Sequence, residues 1–222
     1  MTIYDLGLRG HFQDEESNRA IEVGLDFSQL QDSYATSERK VTMDGIYTPL
    51  NNDEHQVDIK LSLDFTTLSD TLVRKLNNYL LKPRYQYFSD NFAVVAALNI
   101  FNHRDVFNFY PDLEVKAPLS GNQMVAVLGV SGGLLKNDYH SLYRFNNFIQ
   151  SRIDTLANTG YFNYYAGLEG SMSGWQYSVR AGWKQMDNFA LFKFEKSYKN
   201  AGFFRVLFDD VNATYIQIQL FW

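Results

Sequence analysis

The ten residues Val57-Asp58-Ile59-Lys60-Leu61-Ser62-Leu63-Asp64-Phe65-Thr66 alternate apolar and polar without a break. A period of two belongs to a β-strand, whose side chains point to opposite faces in turn; a helix would scatter these apolar groups around its circumference. The same rhythm returns at Ile21, Val23, Leu25 and Phe27, at Trp175, Tyr177, Val179, Ala181 and Trp183, and at Ile216, Ile218, Leu220 and Trp222. Weaker strands over 2–9, 40–48, 79–88, 91–102, 107–118, 123–136, 160–172 and 203–209 bring the total to about twelve. The one helical candidate, Asp138 to Phe148, lies inside a long connection. The chain is therefore all-β, with an antiparallel up-and-down order set by its hairpin rhythm.

Composition narrows the function classes. With no cysteine among 222 residues, disulfide scaffolds, thiolate metal sites and cysteine nucleophiles are excluded. A net charge of −5 argues against nucleic acid as a partner, which would require a basic face. No apolar run approaches the length of a membrane helix, and the first residues carry neither the basic nor the apolar region of an export signal. A membrane β-barrel stays open, since its strands are only half apolar. Aromatic residues, at 16%, are the compositional outlier.

Alternation does not say which face points inward, and three observations favour apolar out and polar in. About twelve strands would enclose a tube of roughly 24 Å, too wide for a few apolar side chains to fill. Water and the charges Lys60, Asp64, Arg84, Glu114, Lys116, Glu169, Arg180 and Lys184 fill such a lumen naturally. Trp175 and Trp183 share the apolar face at the two expected ends of one strand, roughly 20 Å apart along a tilted barrel axis, as aromatic girdles are. Tyr85, Tyr87, Phe92, Phe162 and Tyr164 also sit near strand ends, at headgroup depth in a barrel. Finally, tight turns near Ser89-Asp90, Ser120-Gly121-Asn122, Ser173-Gly174 and Asp209-Asp210-Val211-Asn212 fall at one end. The longer connections Gln31 to Arg39, Ser69 to Asn78, Lys136 to Thr159 and Met186 to Ala201 fall at the other. The fold expected is a transmembrane β-barrel, or a large part of one, with a short helix in a long outer loop, residing in a bacterial outer membrane.

The turn parity carries a further expectation. If 209–212 is a periplasmic turn, the last strand runs outward and Trp222 ends on the extracellular side, whereas natural barrels finish in the periplasm. The same count places Met1 on the outer side. Residues 1–222 are then expected to be an internal piece of a larger barrel, with Met1 an internal or artificial start, which also accounts for the missing signal peptide.

Three segments, 109–149, 162–192 and 203–220, carry a resemblance. Tyr110-Pro111-Asp112, Asn137-Asp138-Tyr139, Tyr165-Ala166-Gly167-Leu168-Glu169-Gly170 and Phe208-Asp209-Asp210-Val211 resemble the barrel portion of TonB-dependent-receptor-like outer-membrane proteins of Bacteroidota. Asn147 departs from the pattern, standing where those proteins have proline in an Asn-Pro-Phe element. The resemblance covers about half the chain. It implies further strands after Trp222, passage or binding of a small-molecule or oligomeric nutrient or a structural place in an outer-membrane assembly, and TonB or a lipoprotein as partner beside outer-membrane lipid. No plug is visible in the sequence.

Sites of chemistry are sparse. Asp138, His140 and Ser141 are the residue types of a nucleophilic hydrolase, but such sites are built by geometry and not by adjacency, and loop capping or surface polarity is the default reading. The alternatives this leaves are a small outer-membrane lipid-modifying enzyme and a soluble ligand-binding β-barrel; the balance is against an enzyme. His11, His55, His103 and His140 are scattered without metal-ligand spacing, and no cofactor is implied. The run Gly129 to Lys136 lacks the Gly-Lys-Ser/Thr of a phosphate loop, so its glycines read as room for close packing on a strand. In the longest loop, Tyr139, Tyr143, Arg144 and Phe145 are the candidate ligand contacts, because long outer loops carry function in barrels.

Overall fold

The computed structural model describes residues 2–14, 16–33, 36–120, 124–150, 152–153, 155–172, 174–196 and 202–222; Met1, Gly121, Asn122 and Ser173 lie outside them. Among the described residues, twelve antiparallel strands form one sheet. They are β1 (Thr2–Asp14), β2 (Arg19–Gln31), β3 (Ser37–Asn51), β4 (His55–Ser69), β5 (Val73–Lys75), β6 (Asn78–Phe88), β7 (Ala93–His103), β8 (Val106–Ser120), β9 (Met124–Leu135), β10 (Thr159–Met172), β11 (Trp175–Lys196) and β12 (Gly202–Phe221). Each long strand pairs with the next in sequence, and β5 only extends the end of β4. Helix α1 (Tyr139–Phe145) is shorter than expected, with Asp138 as its N-cap.

Local chemistry sets the register. Arg104 and Asp105 both have positive φ, 51° and 63°, which makes the two-residue turn that fits the twist of a hairpin. Pro49, which cannot donate to a ladder, falls within the shift between Tyr47 and Leu50. Gly129 lies opposite Tyr165, and a Cβ there would come 2.4 Å from the tyrosine ring, so this glycine makes room for an aromatic.

The two faces of the sheet differ as alternation requires. Ile59, Leu61 and Phe65 are exposed, at 40%, 46% and 40%, while Asp58 and Thr66 on the opposite face are buried. Cross-strand pairs carry the polar face around the sheet: Asp58 opposite Arg84, Arg84 opposite Ala97, Ala97 opposite Asp112. A cavity of about 470 Å³ is walled by Glu22 of β2, Lys60 of β4, Arg84 of β6, Glu114 of β8 and Tyr165 of β10, so the sheet curls with its polar face inside. An apolar interior, as in a soluble ligand-binding barrel, is not what these strands build.

The last hairpin corrects the expected turn. Asp209-Asp210-Val211-Asn212 lies within β12, and 203–209 and 216–221 are parts of one strand. Its partner β11 runs 22 residues to Lys196, absorbing most of the connection expected over 186–201. The acidic run serves a bulge in β11 instead: the register shifts between Met186 and Phe189, Asn188 adopts φ 54°, and its N–H donates to Asp210 Oδ1 at 3.0 Å. Two consequences follow. Strand β12 ends at the same rim as the turn around Gly174, with Trp222 stacked on Trp175 at 5.9 Å, so its end is not on the long-loop side. Trp183 is mid-strand, with β11 continuing beyond it.

The described short connections at 16–18, 52–54 and 89–92 share that rim with Gly174, while the connections at 70–77 and 136–158 and the two-residue turn at 104–105 lie at the other. Strands β1 and β12 are the edges of the sheet and run in the same direction. They do not pair with each other; among the described residues, the free edge of β12 carries a single bridge, from Ile149 to Phe204.

Candidate functional site: the polar concave face and the loop across its mouth

Strand register puts Lys60, Asp64, Arg84, Glu114, Lys116, Glu169, Arg180 and Lys184 on one face of the sheet, the concave one. Most are bound into networks. Lys116 Nζ donates to Glu169 at 2.8 Å, Arg180 pairs with the other oxygen of Glu169, and the Tyr165 hydroxyl donates to Glu114 at 2.8 Å. Arg84 lies 3.7 Å from Asp58, which also accepts from Thr48 and Gln56. Lys184 lies 4.4 Å over the Tyr161 ring. Sequence reasoning missed Asp58, Lys82 and Asp112, although they occupy the same alternating positions; Lys82 donates to Asp112 at 2.6 Å.

The convex face is apolar between two aromatic levels. At the short-turn rim, Trp175 meets Trp222, and His55 packs with Tyr85 and Tyr87, the latter touching Phe92. Higher on the wall, Tyr164 stacks on Trp183 at 5.8 Å and Phe65 meets Tyr79 at 5.7 Å. The eight residues from Trp175 to Trp183 and the ten from His55 to Phe65 each rise roughly 20–25 Å in a tilted strand. That is the height of an outer-membrane apolar band.

The principal buried cluster lies at the long-loop rim. Tyr139, Leu142, Ile149, Ile153 and Leu156 of the 136–158 connection pack on Leu30 of β2, Leu68 of β4, Leu76 and Val206 of β12. The Asp138 carboxylate accepts the Ser141 N–H at 2.7 Å, and the Ser141 hydroxyl receives the Asp138 N–H at 3.0 Å, a reciprocal capping box. Ser141 is thus committed to the helix start, and His140 points elsewhere, its Nδ1 lying 3.2 Å from Ser28 Oγ while its Nε2 is buried with no partner among the described residues. Asp138, His140 and Ser141 therefore do not align as a hydrolytic triad.

Glu38 fastens this helix to the wall: its two oxygens accept the N–H groups of Tyr139 (2.8 Å) and His140 (3.3 Å). It lies opposite Leu68, three residues beyond the Phe65 level and so outside the apolar band. Around it, Lys40 lies 3.3 Å from Asp138, and Lys136 pairs with Asp64 and Asp138. Two ammonium groups face three carboxylates. Burial, reinforced by the charge of Asp138, pushes Glu38 up to about 7. Burial opposes the Asp138 charge too, but Lys40, Lys136 and the Ser141 bonds hold it below the usual carboxylate range. Burial, aided by Lys40 and Arg144, lowers His140 below the usual imidazole value.

The four expected ligand contacts separate. Tyr139 is buried, its hydroxyl 3.2 Å from Asp32, and belongs to the anchor. Tyr143 packs beside it, half-buried. Arg144 and Phe145 face outward; Arg144 reaches Asp5 at 3.5 Å, and Phe145, 80% exposed, stacks on Phe192. Among the described residues no three carboxylate or imidazole groups converge to hold a metal.

The fold is that of outer-membrane β-barrels. No protein-family model and no curated protein matches the sequence. Solved structures do match in shape. The siderophore receptor PirA from Pseudomonas aeruginosa superposes at TM-score 0.70 with 14% identity, over 98% of this chain and 43% of that one. The copper transporter OprC gives 0.63, 12%, 98% and 43%. The pyoverdine outer membrane receptor FpvA from Pseudomonas aeruginosa PAO1, bound to pyoverdine, gives 0.57, 9%, 97% and 41%. The chain spans less than half the length of these receptors, and at such identities the likeness is one of fold.

Proposed function

We propose that this chain forms the wall of a bacterial outer-membrane barrel of the TonB-dependent-receptor type, serving the uptake or passage of a small-molecule or oligomeric nutrient. The observation that carries this is the inversion of the sheet, with ion-paired networks on the concave face and an apolar convex face bounded by aromatic levels. Kinship with Bacteroidota proteins in particular rests on the sequence motifs alone. TonB or a lipoprotein, together with outer-membrane lipid, are the partners proposed. No reaction is assigned, and Arg144 and Phe145 are the proposed first contacts for a ligand.

We further propose that the wall is part of a larger barrel. The argument is the parity of the edges: with eleven long strands in up-and-down order, β1 and β12 point the same way, so direct closure would require a parallel seam. Antiparallel closure requires an odd number of additional strands between them. Expression in a Gram-negative host with envelope fractionation tests the function. The protein should co-fractionate with the outer membrane, resist extraction without detergent, and migrate faster on SDS gels before boiling than after. Solubility in detergent-free buffer would refute the membrane reading.

A further inference from the structure

One connection touches nearly the whole circumference of the long-loop rim. From 136–158, Arg144 reaches Asp5 of β1, His140 meets Ser28 of β2, Tyr139 binds Glu38 of β3, and Lys136 pairs with Asp64 of β4. Farther round, Arg74 donates to the Ile153 carbonyl at 2.6 Å, and Arg104, in the turn after β7, donates to the Leu156 carbonyl at 3.1 Å. Phe145 stacks on Phe192 of β11, and the Gln150 N–H donates to the Phe204 carbonyl of β12 at 2.9 Å. Arg144 and Phe145 are sequence neighbours, yet they contact strands at opposite ends of the sheet. A segment with such contacts lies across the mouth and not along one side of it.

The attachment has two parts of different character. Five apolar side chains of the loop are buried, so lifting it returns all five to water. The other part is polar and sits at one end: Glu38 accepts the first N–H groups of α1, with the Lys40 and Lys136 pairs to Asp138 beside it. Below the loop, toward the short-turn rim, the polar cleft continues. Lys60, four residues below Asp64 on β4, lines two adjoining cavities of about 470 Å³ each.

We propose that the 136–158 connection is a resident stopper: docked across the long-loop mouth, it closes the polar cleft to bulky solutes, and it must lift from Glu38 and the Leu30–Leu68 wall for a ligand to pass. This rests on the membrane-barrel reading above. The absence of cysteine allows a direct test in intact cells expressing the full chain. Lys60→Cys is labelled from outside with a small water-soluble methanethiosulfonate and with a bulky maleimide-polyethylene glycol, with the loop intact and with the loop undocked by Leu142→Asp or by Glu38→Ala with Leu142→Ala. Undocking is scored as new protease cleavage within 136–158, and folding by heat-modifiable migration; the milder double variant serves if Leu142→Asp does not fold.

With the loop docked, the small reagent should label the thiol introduced by Lys60→Cys and the bulky one should not; with the loop undocked, bulky labelling should accelerate at least tenfold. Equal bulky labelling in cleaved and uncleaved forms would overturn the stopper. Failure of the underlying reading looks different: the small reagent would then miss the Lys60→Cys thiol, or would label Leu61→Cys equally well.

Discussion

Leu61 offers a quantitative test of which solvent the convex face meets. It is exposed on that face, six residues above His55 and four below Phe65. At about 2.5 Å of axial rise per tilted residue, it stands roughly 15 Å from the lower aromatic level and 10 Å from the upper, near the midplane of an apolar band. An arginine at the midplane of an outer-membrane barrel costs about 2–4 kcal/mol, falling to about 0–1 near the interfaces. Leu61→Arg should therefore lower the folding equilibrium constant in lipid bilayers by about thirtyfold to several hundredfold, at 1.4 kcal/mol per tenfold. Phe65→Arg, at the upper level, should cost about 1 kcal/mol or less, and Lys60→Ala on the opposite face should stay within about 0.5 kcal/mol. Reversible urea unfolding in liposomes, followed by tryptophan fluorescence, measures all three. A flat cost along the strand, or a larger cost at Lys60 than at Leu61, would refute the assignment of the faces.

Three other outcomes follow from named contacts. Glu169→Gln leaves Lys116 and Arg180 with only their longer contacts to Glu114, at 3.7 and 3.9 Å; because these side chains are a quarter to a third exposed in a hydrated cleft, the loss should be about 1–2 kcal/mol by urea unfolding, and no loss would mean the network is ornamental. Gly129→Ala drives a methyl into the Tyr165 ring and should cost about 1–3 kcal/mol, with Tyr165→Ala in the same chain recovering most of it; absence of recovery would show that the glycine serves something else. Loop docking should respond to pH with opposite slopes in two variants, read by hydrogen exchange of 139–145. With Glu38 raised to about 7, its contribution is present below the ordinary carboxylate value and lost as pH rises toward 7. With His140 lowered, its contribution is present above about 6.5 and lost as pH falls. His140→Asn should therefore dock less firmly as pH rises from 5 to 7, and Glu38→Gln more firmly; equal slopes would contradict the anchor.

What the sequence discloses here follows the range of the physics involved. Alternation is local, so the strands and the polar face are legible from neighbouring residues. The run Asp209-Asp210-Val211-Asn212 misleads because Asp and Asn suit turns and bulges alike, and only the partner strand, with Asn188 in a left-handed conformation, decides between them. Trp222 then moves to the opposite rim. The loop anchor was illegible for a different reason: Glu38 and Tyr139 are 101 residues apart, and no local pattern marks a glutamate that will accept the first N–H groups of a distant helix. By its place in the longest loop Tyr139 suggests a ligand contact, whereas its ring is part of the cluster that holds the loop down.

The central claim is the inversion of the sheet, and nitroxide scanning of residues 57–66 in the cysteine-free chain tests it most directly. With the protein in lipid bilayers, collision rates with oxygen and with a water-soluble nickel chelate should alternate along the strand: Val57, Ile59, Leu61, Leu63 and Phe65 favour oxygen, and Asp58, Lys60, Ser62, Asp64 and Thr66 favour nickel wherever the label is mobile. The same alternation with its phase reversed, or no alternation at all, would contradict it.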